Sequence, residues 1–217
     1  MHIVDLGFIS CPGARITGII KVCLILFFSV FMAGELFSQS WKFVKEKEGI
    51  KVYTSETRNN SLKSFKGVAD LTTSLDKVYT LLGNVRSTDR WDKSIKEFRV
   101  LSSEKDKSFS YYLVYGIPWP LYDRDLCVEV AIIHDTSDGS VIISAKSNPK
   151  LVPENGNLVR IRDYWQKWII QPLDNDHVRL TLEGFADPAG NIPSWLYNMV
   201  ITETPVNTIS DIRRRTK

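Results

Sequence analysis

From Gly49 to Phe185 the chain is written in short alternating runs of apolar and polar residues, separated by polar or Gly/Pro turns. Gly49-Ile50-Lys51-Val52-Tyr53-Thr54 and Leu62-Lys63-Ser64-Phe65-Lys66-Gly67-Val68-Ala69 predict two strands of a hairpin joined through Arg58-Asn59-Asn60. Trp41 to Lys47, just before them, is expected to form a short helix. After Ala69 the period changes. Thr73 or Ser74 can cap a helix in which Leu75, Val78, Tyr79 and Leu82 recur at three- and four-residue spacing, and Gly83-Asn84 ends it. Val85 to Trp91 reads as a second short helix, with Trp91 anchoring it to the sheet. Six strands are then predicted: Glu97–Ser102, Phe109–Ile117, Leu126–His134, Val141–Lys146, Leu158–Gln171 and His177–Phe185.

The pattern closes differently. Asp187-Pro188-Ala189-Gly190 forms a tight bend, and Ile192-Pro193-Ser194-Trp195 opens a long helix running to about Arg213. Trp195, Met199, Val206, Ile209 and Ile212 share one broad face of that helix, while Tyr197, Asn198, Thr202 and Asp211 lean away. Pro205 lies within it and is expected to kink it or break one turn. Consecutive strands with no helices between them imply a mainly antiparallel sheet in an α+β fold, curved around the closing amphipathic helix.

The first forty residues stand apart. Arg15 and Lys21 precede the uncharged run from Val22 to Gly34, which is shorter than the ~20 residues needed to span a bilayer but suits a signal-peptide core. Ser38 and Ser40 suit the −3 and −1 positions of a cut before Trp41. The alternative is an uncleaved anchor that extends back through Ile16 to Ile20. On either reading, residues 1–40 target the chain for export, to the periplasm or the exterior, and residues 41–217 form one domain. Cys11 and Cys23 lie in the leader, so Cys127 alone remains; it reads as a small buried hydrophobe in Leu126-Cys127-Val128.

With 43% hydrophobic residues and 28 basic against 25 acidic side chains, the chain can build a proper core but lacks the charge excess of a nucleic-acid binder. Arg213-Arg214-Arg215 is the one basic cluster. Its place at the helix end suits the macrodipole, with transient contact to an anionic membrane surface as the alternative.

Familiar catalytic and metal spacings are absent from the sequence, and no cofactor or metal site is expected. His134 beside Asp135 lacks a third partner, and His177 follows an exposed turn. Asp123 and Asp125 flank Arg124; at i and i+2 on a strand their carboxylates would point the same way, which could suit acid/base work or a cation. The turn-like setting suggests instead an Asp that caps a loop and an Arg held in an ion pair. All six tryptophans lie after residue 40, and such aromatics can line a pocket for an apolar ligand with one polar head, or simply pack a core. Trp165 and Trp168 differ in parity, so a regular strand cannot turn both inward.

Four ordered motifs carry a family resemblance: Gly49-Ile50-x-Val52-Tyr53, Pro118-Trp119-Pro120-Leu121-x-x-Arg124-Asp125, Trp168-x-x-x-Pro172, and Asp187-Pro188-x-Gly190-x-Ile192-Pro193-x-Trp195-Leu196-x-Asn198. Through these the chain resembles the START (steroidogenic acute regulatory protein-related lipid transfer) family across nearly all of residues 41–217. The resemblance implies a helix-grip fold whose curved antiparallel sheet holds the C-terminal helix over a cavity for one lipid or sterol-like molecule. It implies, too, that the Ile117–Tyr122 loop and that helix form a movable mouth. The expected function is therefore non-enzymatic lipid binding or transfer by a monomer. Candidate cavity or mouth residues are Trp91, Tyr115, Trp119, Arg124, Trp168, Trp195 and Met199, with Arg124 positioned to meet a lipid head. The alternative is a helix-grip enzyme, a cyclase or hydrolase, using Asp125, His134 and Tyr115; a third reading is an interaction module with a vestigial cavity.

Overall fold

The computed structural model describes residues 40–57, 60–85 and 94–217. The expected leader, Arg58-Asn59, and Arg86 to Trp91 of the second expected helix lie outside those residues. The strands are β1 (Lys42–Lys47), β2 (Ile50–Thr57), β3 (Asn60–Thr72), β4 (Ile95–Glu104), β5 (Ser108–Tyr115), β6 (Arg124–His134), β7 (Val141–Ser147), β8 (Val159–Arg160), β9 (Tyr164–Pro172) and β10 (His177–Ala186). The helices are α1 (Leu75–Leu82), α2 (Ser194–Val200) and α3 (Thr204–Arg215). One curved sheet runs β1-β2-β3-β10-β9-β7-β6-β5-β4, with β8 added beside β6. All its pairings are antiparallel except β6 with β8. This is the expected α+β helix-grip architecture.

Two local expectations are corrected. Trp41 to Lys47 does not form a helix: Lys42–Lys47 is an edge strand, paired from Lys42↔Thr54 to Lys47↔Ile50. Glu48 and Gly49, both at positive φ, make the two-residue turn that folds it onto β2. Glutamate rarely takes that conformation, so Glu-Gly is a weak hairpin signal. The expected strand Leu158–Gln171 is two, because the chain changes partner at Ile161 to Asp163. β8 lies parallel to β6, whereas β9 pairs with β7 and β10.

The sheet's concave face carries the core. In register across it run Val52–Gly67–Leu182–Trp168–Ile143–Ile132 and Thr54–Phe65–Gly184–Gln166–Ala145–Val130–Phe109. Against this face α3 buries Val206, Ile209 and Ile212, all fully enclosed. Gly67 sets how closely it approaches: a Cβ there would lie 2.5 Å from Pro205 Cβ and 3.0 Å from Ile209 Cδ1. On the opposite face of β5 and β6, Tyr112, Val114 and Cys127 form a satellite cluster with Leu151, Val152 and Leu158. Cys127 is thus the buried small hydrophobe that its neighbours suggest.

The long C-terminal helix is broken, as Pro205 requires: α2 and α3 are separated by Ile201–Glu203, and the proline sits in the first turn of α3. The break also rotates the two halves relative to one continuous helix. Val206, Ile209 and Ile212 face inward as expected, but Trp195 and Met199 are 68% and 59% exposed. Tyr197 and Asn198, expected to lean away, are the residues that attach α2 to the sheet.

Candidate functional site

β3 and β10 pair only as far as Phe65↔Gly184 and then diverge. The strand groups this leaves unpaired are taken up by α2. Asn198 Nδ2 donates to Ser61 O at 2.9 Å, and its Oδ1 accepts from Lys63 N at 2.9 Å, so one amide replaces a rung of the missing ladder. The Tyr197 hydroxyl accepts from Ala186 N at 3.2 Å, and desolvation pushes that phenol up to about 12. α2 therefore covers the split between two strands with Tyr197 partly buried against the core and no side chain fully enclosed.

The loop from Gly116 to Asp123 and the bend before α2 meet at Arg124. Arg124 is 3% exposed, and its guanidinium donates to Tyr122 O, to Pro188 O at 3.2 Å and to Ala189 O at 3.4 Å. The bend presents those carbonyls because Asp187 Oδ1 accepts from Ala189 N at 2.9 Å, with Ala189 and Gly190 both at positive φ. Asp123 closes the loop: its Oδ1 accepts from Ile117 N at 2.9 Å, and its Oδ2 accepts from Lys96 Nζ at 2.8 Å. That hydrogen bond from Lys96 is the main reason its carboxyl titrates below the usual range. Asp123 is thus the capping Asp read from the sequence. The ion pair is placed differently, because Arg124 holds backbone carbonyls and Asp125 takes the partner. Arg160 clamps Asp125 through two bonds of 2.8 and 2.7 Å on the convex face, and also donates to the carbonyls of Pro149, Val152 and Pro153. Asp123 and Asp125 consequently act as separate structural ligands.

Beneath α2 the concave face holds a chain of polar groups in apolar surroundings. Trp168 is 4% exposed, and its Nε1–H donates to Gln166 Oε1 at 3.3 Å. The Tyr164 hydroxyl donates to the same oxygen at 3.2 Å and shares a hydrogen bond with Tyr111. Desolvation pushes the Tyr111 and Tyr164 phenols well above their ordinary value, and the neighbouring Tyr115 adds to this. Tyr115, Tyr164 and Gln166 nevertheless keep accessible surface. From Tyr115 to Phe109 this face extends six residues along β5, about 20 Å. At its far end a cleft of about 330 Å³ opens between α1 and the β4–β5 turn, with Phe109 and Ile132 among its lining residues.

Of the candidates named from sequence, Tyr115, Arg124 and Trp168 lie on the concave side and Trp91 lies outside the described residues. Trp119, 92% exposed, stands on the loop with the exposed Leu121 and Tyr122, while Trp195 and Met199 are exposed on α2. Arg124 links the two elements that carry these aromatics. Sequence reasoning missed Tyr111, Tyr164 and Gln166. Parity was the available signal: an inward Trp168 turns Gln166 and Tyr164 inward as well. His134 instead stacks edge-on against Tyr79, 5.2 Å between ring centroids, so Asp125, His134 and Tyr115 do not converge.

The same architecture recurs in known proteins. A STAR-related lipid transfer protein from Xanthomonas axonopodis superposes with a TM-score of 0.72 at 30% identity, over 81% of this chain and 98% of that one. Protein PA1579 of Pseudomonas aeruginosa, which is uncharacterized, is 28% identical over 196 residues, 90% of this chain and 96% of its own. Human phosphatidylcholine transfer protein is 24% identical over 187 residues, 80% of this chain and 82% of its own. A model of the START domain family matches residues 33–217. With the match extending from before β1 through α3, over the curved sheet, the Arg124-centred loops and the covering helix, the chain belongs to the START domain family.

Proposed function

We propose that this protein is a non-catalytic carrier that binds a lipid or similar hydrophobic molecule on the concave face of its sheet, beneath the C-terminal helical segment. The observation that carries the reading is that face itself: apolar rows about 20 Å long along β5, with one neutral polar cluster at Tyr111, Tyr164 and Gln166. A ligand's apolar body would gain roughly 25 cal/mol for each Å² removed from water. Lipid binding fits the family, and the named activity of phosphatidylcholine transfer protein lies in the same class. The non-catalytic part is supported by the separation of Asp125, His134 and Tyr115.

α2 acts as the movable cover, swinging about Ile201–Glu203 while α3 stays seated. Trp119, Leu121, Tyr122, Trp195 and Met199 give the cover and its neighbouring loop an apolar rim that touches a membrane surface during exchange. The carrier works as an exported monomer once residues 1–40 are removed, so N-terminal sequencing of chain from the cell envelope should begin at Trp41. For the function itself, the mature chain is purified without detergent and extracted for lipid mass spectrometry. It is then assayed for lipid transfer between donor and acceptor vesicles. Stoichiometric co-purified lipid and protein-dependent transfer are expected. A chain that neither carries nor takes up any lipid would overturn the proposal.

A further inference from the structure

Resting on the binding reading above, we infer that the ligand's polar head is an uncharged hydrogen-bond acceptor, a hydroxyl or carbonyl oxygen, received by the side-chain amide of Gln166. The orientation of that amide follows from its neighbours. An indole N–H can only donate, so the end of Gln166 that faces Trp168 must be the oxygen, and Tyr164 donates to it as well. The NH2 end is left with two donors and makes no hydrogen bond among the described residues. Unmatched donors in apolar surroundings are costly, and a ligand oxygen is what relieves them.

The surroundings select against charge. In register with Gln166 stand Ala145, Val130 and Phe109 on one side and Gly184, Phe65 and Thr54 on the other. The adjoining positions on the same face are Trp168, Ile143 and Leu182, with Tyr164, Val128 and Tyr111 on the other flank; all are uncharged. Arg124 has the concave parity of Leu126 and Val128, but its guanidinium donates to the carbonyls of Tyr122, Pro188 and Ala189. Arg160 lies on the convex face, bound to Asp125. A phosphate brought to Gln166 would meet neutral donors and, among the described residues, no cation free to neutralise it. A quaternary ammonium fits no better, having no acceptor to offer an N–H pair. The ligand class is therefore a neutral lipid, such as a diacylglycerol, a sterol or a long-chain alcohol.

The test uses the mature chain stripped of lipid and titrated with dioleoylglycerol, oleyl alcohol, dioleoylphosphatidylcholine and dioleoylphosphatidylglycerol, followed by tryptophan fluorescence and mass spectrometry of the complex. The two neutral lipids should bind at least tenfold more tightly than either phospholipid. Gln166→Leu, checked for folding by circular dichroism, should erase that preference. Equal or tighter phospholipid binding overturns the inference and leaves the carrier reading standing, as does an unchanged preference in folded Gln166→Leu. If that variant does not fold, the wild-type ranking decides alone. Binding of none of the four lipids overturns both readings.

Discussion

α3 and α2 are separated by three residues, yet α3 sinks Val206, Ile209 and Ile212 fully into the core while α2 encloses no side chain completely and only rests Tyr197 against it. α3 is also tied at both ends. Glu203 at its start pairs with Lys45 and Lys47 of β1, and at its far end Thr73 Oγ1 donates to Thr216 O at 2.8 Å. Ser210 and Arg213 both donate to Glu48 in the β1–β2 turn. α2 is attached through the Asn198 amide and the Tyr197 hydroxyl. Each buried aliphatic side chain is worth roughly 1.5–3 kcal/mol, against about 0.5–1.5 for a hydrogen bond that water can replace. One half of the segment is part of the core, and the other can detach at a cost far below global unfolding. Under the proposed carrier function, the element that opens is this two-turn piece of the C-terminal segment.

The largest expected effect comes from emptying the seat of α3. Ile209→Ala should destabilise the domain by about 2–5 kcal/mol in urea denaturation. A loss under about 1 kcal/mol would mean that α3 is no more deeply seated than α2. Gly67→Ala attacks the same contact from the sheet, since its Cβ would fall on Pro205. An overpacking cost of about 1–3 kcal/mol is expected, with the first turn of α3 losing hydrogen-exchange protection.

Asn198→Ala should cost only about 1–2 kcal/mol, because two hydrogen bonds are lost at a site that water can reach. It should expose the Lys63 amide to faster exchange and speed lipid uptake. Slower uptake would show that α2 does not gate. The smallest effect is electrostatic. The hydrogen bond from Lys45 lowers the Glu203 carboxyl in the folded state, so its contribution is present above the ordinary carboxylate range and is lost as pH falls through the folded value. Glu203→Gln should therefore be less stable than wild type at neutral pH and indistinguishable from it below the carboxylate range. Paired denaturation curves at the two pH values check this.

Much of the fold was legible one element at a time. The alternation in β2, β3, β5, β6, β7 and β10, the helical spacing of Leu75 to Leu82 and the break at Pro205 all announce themselves through local rules. Lys42–Lys47 did not, because an edge strand with exposed Phe43 and Val44 is defined by its pairing with β2 rather than by any internal pattern. The site was less legible. Its two flanking aspartates make Arg124 read as one half of an ion pair. It donates to carbonyls instead, and two of the three, those of Pro188 and Ala189, lie more than sixty residues away.

What the sequence determined by itself are the properties that depend on near neighbours. Among them are the class of each regular segment, the family signature from Gly49 to Asn198, and the helix stop before Pro205. Only the tertiary structure decided that Asn198 replaces a lost β rung, that Gly67 admits α3, and that the Gln166 side-chain oxygen receives both Trp168 and Tyr164. Those outcomes depend on where strands diverge and which faces oppose one another. Both are set by the closure of the whole sheet, and no window of local sequence contains it.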